Sequence, residues 1–61
     1  MKILLFGTGD YYRKYREWFR REDIEGLIDN DENKQGTIID GFQVYLPCTA
    51  VKREYDCVVI V

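Results

Sequence analysis

Gly7-Thr8-Gly9-Asp10 is the segment whose residue types and spacing are best suited to holding a ligand. Without side chains, a backbone turns tightly and approaches a ligand closely. A helix that starts there offers free amides to a phosphate. Asp29 follows Gly7 by 22 positions. An acid about 20 residues after a glycine loop is where dinucleotide-binding folds hold ribose hydroxyls. Tyr11 adjoins the loop, and Asn30 and Asp31 adjoin the acid, so they complete the candidate set with Gly7, Thr8, Gly9, Asp10 and Asp29. Two features depart from the pattern. The third glycine of Gly-x-Gly-x-x-Gly falls on Tyr12, and Asp10 places negative charge where a phosphate would sit. The alternative is that Gly7 and Gly9 only shape a turn and Asp29 only ends a strand.

No catalytic residue is assigned. Histidine is absent and no Tyr-x-x-x-Lys spacing occurs, so acid–base work would fall to a carboxylate, tyrosine, lysine or cysteine. Tyr11 and Tyr12 lie near the loop but equally suit a core. Cys48 and Cys57 match no zinc pattern, so no metal site is expected, and both read as ordinary buried thiols of a reducing compartment.

The elements that position the loop follow from hydrophobic patterning. Lys2–Phe6 is a continuous apolar run that suits a strand covered on both faces. Asp10 is placed to cap a helix fraying near Arg21–Asp23. Along it Tyr11, Tyr15, Trp18 and Phe19 form an aromatic stripe expected to pack on a sheet. Those rings would be a platform for bases only if exposed beside exposed cations. Ile24–Asp29 reads as a second strand, Asn30–Gly36 as a polar turn, and Thr37–Tyr45 as a hairpin around Asp40-Gly41. Pro47 opens a short helix over about Cys48–Arg53, and Cys57–Val61 is the last buried strand.

The 61 residues fit a single domain, residues 1–61, of marginal stability. Net charge is −2, which argues against a nucleic-acid partner, and no apolar stretch reaches the ~20 residues of a membrane span. With no signal peptide, a cytoplasmic location is expected. The basic run from Arg13 to Arg21 reads as a solvated helix face. Because the sequence stops inside its most hydrophobic strand, a fragment truncated from a longer polypeptide is expected. Homo-oligomerisation through exposed apolar surface or a sheet edge is the corresponding hazard.

Leu4-Leu5-Phe6-Gly7-Thr8-Gly9, Ile28-Asp29-Asn30-Asp31, Lys34-Gln35-Gly36 and Ile39-Asp40-Gly41-Phe42-Gln43-Val44 together resemble the Rossmann-like domain of bacterial surface-polysaccharide enzymes. Its hosts include nucleotide-sugar dehydratases and epimerases and the N-terminal domain of sugar acyltransferases. The resemblance implies an α/β, three-layer fold with a parallel sheet in the order 3-2-1-4 and a short hairpin. It also implies that Gly7 and Gly9 meet phosphates while Asp29 or Asp31 meets a ribose or base. The ligand would be NAD(P) or a nucleotide sugar. The leading expectation is thus a nucleotide-binding module of a polysaccharide biosynthesis protein such as a sugar epimerase or dehydratase. A non-catalytic regulatory or assembly domain fused to a glycosyltransferase or acyltransferase is second. An S-adenosylmethionine-binding methyltransferase fragment is third.

Overall fold

The computed structural model describes residues 1–61. Strand β1 (Ile3–Phe6) leads through the glycine loop into helix α1 (Asp10–Tyr15), and a 3-10 turn follows at Arg16–Trp18. A second 3-10 turn, Arg21–Asp23, feeds β2 (Ile24–Ile28), and a third, Glu32–Lys34, follows it. The hairpin is β3 (Ile38–Ile39) and β4 (Phe42–Tyr45). Then come α2 (Pro47–Ala50) and β5 (Cys57–Ile60).

The α/β class stands, but the sheet differs from expectation. It has five strands in the order β3-β4-β2-β1-β5 and is mixed rather than parallel. β1 pairs in parallel with β2 and β5, β2 pairs in parallel with β4, and β3 runs antiparallel to β4. The hairpin causes the change, because both of its arms join the sheet. Asp40 (φ 54°) and Gly41 (φ 85°) occupy its two central positions, the left-handed pair that a two-residue hairpin demands.

Alternation along the buried strands builds two cores. Ile3, Leu5, Leu27 and Val44 pack with Tyr12 of α1 on one face. Leu4, Ile28 and Tyr45 pack with Ala50 of α2 on the other. Successive strand residues point to opposite faces, so each continuous apolar run supplies both layers.

The first helix is shorter than its pattern implied, and its buried face differs from the expected stripe. Tyr12 is the buried residue, 2 % exposed, whereas Tyr11 is 65 % and Trp18 77 % exposed. Tyr11 stacks on Tyr15 at 6.4 Å, and Tyr15 meets Trp18 edge-on at 5.0 Å, so the aromatic stripe largely satisfies itself outside the core. Aromatic side chains also lose rotamer freedom in a helix, which weakens the segment's capacity to extend α1. Asp10 is the first helical residue and not the cap: Gly9 holds that position, with no side-chain capping bond. Cys48, expected buried, is exposed, because α2 turns only Ala50 fully inward; Cys57 is half-buried, and both thiols are free. At the β5 edge, Val58 and Ile60 are exposed. No helix is long and apolar enough to cross a membrane.

Candidate functional site

β1 is flanked by β2 on one side and β5 on the other, and the chain reverses its direction of travel across the sheet there. Open α/β sheets bind ligands at such a reversal, beyond the carboxyl ends of the parallel strands. Gly7-Thr8-Gly9 leaves the sheet at that point.

The two glycines have different physical reasons. Gly7 adopts φ 124°, and a Cβ there would lie 2.7 Å from the carbonyl oxygen of Val61, so backbone approach alone requires glycine. Its N–H donates to the Ile28 carbonyl at 2.8 Å. Gly9 has φ −90° and ψ −146°, and a Cβ there would meet nothing within 4 Å. The N–H groups of Thr8 and Gly9 donate to no protein acceptor.

Thr8 and Asp29, two residues of the candidate set, are brought together. The buried Thr8 hydroxyl donates to Asp29 Oδ2, and the Asp31 N–H donates to Asp29 Oδ1 at 2.9 Å. The Thr8 hydroxyl, then the Asp31 amide, hold the Asp29 carboxyl below its usual range. Each carboxylate oxygen keeps a further lone pair for a hydroxyl donor. Asp31 also caps the following turn by accepting from Asn33 N–H at 2.9 Å. Asn30 is exposed beside it. Asp10 and Tyr11 are exposed on the first turn of α1, and neither hydrogen-bonds to Asp29.

Lys34 belongs to this site and was not in the expected set. Its Nζ donates to Thr8 Oγ1 at 3.0 Å and lies 3.7 Å from Asp29 Oδ2. The signal was available: a turn following the second of two parallel strands returns to the end where the first strand's loop emerges.

Tyr12 explains its own departure from the glycine pattern. It fills the space between α1 and the sheet, and its hydroxyl donates to Asp40 Oδ2 at 2.8 Å. Burial, then the Asp40 carboxylate, raise the Tyr12 phenol above its ordinary range. Arg16 pairs with the same carboxylate, and the Tyr12 hydroxyl, then Arg16, lower the Asp40 pKa. Arg21 donates to the Asp40 carbonyl and lies over the Phe42 ring at 4.5 Å. The hairpin turn is thereby clamped to α1. Between them lies a recess of about 320 Å³ lined by Thr8, Tyr12, Arg13, Arg16, Ile39 and Asp40. No three His, Cys, Asp or Glu side chains converge as a metal site would require.

Residues 1–61 match the family model described as C2185-like, N-terminal. The chain belongs to this family. No curated protein and no solved structure matches the chain. In this C2185-like N-terminal chain, the convergent polar groups are therefore Thr8, Asp29 and Lys34 at the glycine loop, with the arginine-lined recess beside them.

Proposed function

We propose that the chain is a Rossmann-like nucleotide-binding module for NAD(P) or a nucleotide sugar. Gly9 carries this reading. Neither a positive φ nor a neighbouring atom requires glycine there, yet it stands at the exit of β1 beside a polar cluster. A ligand in close backbone contact is what would require it. The residues fit such a ligand: Thr8 and Gly9 offer unused N–H groups, Asp29 retains acceptor capacity for ribose hydroxyls, and Lys34 supplies a cation. The resemblance to polysaccharide-enzyme domains supplies the candidate ligands, and a sugar epimerase or dehydratase is the proposed host. No acid–base pair is assigned, so the module's role is binding. Titration of the nitrogen-15-labelled chain with NAD, NADP, UDP-glucose and S-adenosylmethionine tests this. Saturable shifts confined to Gly7–Asp10 and Asp29–Lys34 are expected with one of the first three. A dispersed spectrum that none perturbs refutes the reading.

A second reading, an assembly or regulatory element, rests on a separate observation. Tyr11, Trp18 and Ile60, the last 81 % exposed, border an apolar groove lined also by Tyr15, Phe19 and Val59 at the open β5 edge. Sedimentation of the chain over a range of concentrations tests it. A monomer throughout, insensitive to Ile60→Lys, is evidence against self-assembly there.

A further inference from the structure

We propose that the recess between α1 and the hairpin is a phosphate subsite and that Arg13 is its phosphate-binding residue; this rests on the nucleotide-binding reading and extends it. The charges around the recess sort into pairs with one remainder. Arg16 is paired with Asp40, and Lys34 with Asp29. Arg13 lines the recess and takes part in no ion pair or side-chain hydrogen bond. Asp10, three residues earlier on α1, forms no ion pair with it. The recess is thus left with one uncommitted guanidinium, a planar fork of donors that matches a phosphate in two bonds.

The recess is continuous with the loop through Thr8, which lines it and also receives Lys34 Nζ at 3.0 Å. A phosphate entering there would meet Arg13 in the lining and come within reach of Lys34 through Thr8. Its walls are set by the Tyr12–Asp40–Arg16 clamp, so the recess is held open by groups already satisfied among themselves. About 320 Å³ accommodates a diphosphate and part of its ribose but not a whole dinucleotide, so the remainder of the ligand would extend along the exposed loop.

The test uses nitrogen-15 spectra of the chain and of Arg13→Gln, with Arg20→Gln as the control because Arg20 pairs with Glu22 away from the recess. ADP, UDP, adenosine and inorganic pyrophosphate are the probes. Arg13→Gln is expected to weaken ADP or UDP binding about tenfold or more while leaving weak adenosine binding unchanged, with Arg20→Gln matching the parent. Pyrophosphate bound as tightly as ADP, and lost in Arg13→Gln, supports the subsite while removing the nucleotide reading. Equal nucleoside-diphosphate affinity in parent and Arg13→Gln overturns the subsite and leaves the nucleotide reading standing. Absence of shifts with every phosphate probe overturns both.

Discussion

Replacing Gly9 and Gly7 separately by alanine distinguishes a glycine kept for a ligand from one kept for the fold. At Gly9 two small effects oppose each other. Alanine restricts the unfolded chain, which stabilises by about 0.4–1 kcal/mol. It is also a poorer N-cap than glycine by roughly 0.5 kcal/mol. With φ −90° and no atom within 4 Å of the added Cβ, no steric contact is added. The net change should lie within about 0.5 kcal/mol of zero. At Gly7 the φ of 124° alone costs an alanine about 1–3 kcal/mol, and the Val61 carbonyl 2.7 Å away must also shift. A chain of this length has roughly 3–9 kcal/mol of stability to lose, so both variants should remain measurable. Urea unfolding followed by circular dichroism reads the contrast. With a slope near ~1 kcal/mol/M, the midpoint should fall by about 1–3 M for Gly7→Ala and stay within about 0.5 M for Gly9→Ala. Gly9→Ala should nonetheless lose nucleotide-induced shifts, because its methyl group occupies the space a phosphate would use. A Gly9→Ala variant as destabilised as Gly7→Ala, or one that binds nucleotide as the parent does, refutes the reasoning.

Gly26→Ala should destabilise by about 1–3 kcal/mol, since its Cβ would lie 2.7 Å from the Tyr45 ring and 3.3 Å from the Gln43 carbonyl; the same urea series measures it. Asp29 has its folded pKa below the ordinary 3.8, so the stability it adds is present above that value and is lost as pH falls through the folded pKa. Unfolding curves collected between neutral and strongly acid pH should therefore show a weaker acid dependence in Asp29→Asn, and an unchanged dependence would contradict the Thr8–Asp29 contact.

The strand positions were legible because they depend on local composition. Ile3–Phe6, Leu27–Ile28 and Val44–Tyr45 are continuous apolar runs, and such runs mark strands covered on both faces. The hairpin turn was equally local, since Asp40-Gly41 names its own backbone geometry. The mixed sheet was not legible, because its antiparallel strand, Ile38–Ile39, is only two residues long. Within the site, the strand–loop–helix–strand spacing singled out the glycine loop and Asp29, whereas the Thr8–Asp29 hydrogen bond between them is a tertiary contact. Lys34, Arg13 and Arg16 did not follow, because a solvated basic face and a lined recess have the same composition. What separates them is which cations already have a carboxylate, and that is decided by tertiary contacts such as Arg16–Asp40.

Tyr12 joins these observations. At the third position of a glycine-rich loop, a bulky residue is usually an argument against a ligand, since it prevents the helix from lying closest to its strand. Here the ring occupies the interior between α1 and the sheet, and its hydroxyl reaches Asp40 on the hairpin. The bulk that departs from the pattern forms one wall of the recess beside Thr8. It also ties that wall to the turn opposite, through a hydroxyl whose loss would leave Arg16 alone on the Asp40 carboxylate. A glycine at this position would pack the helix closer and remove both the core aromatic and the clamp. The departure from the motif is therefore compatible with a ligand approaching from the hairpin side of the loop, where Arg13 stands uncommitted.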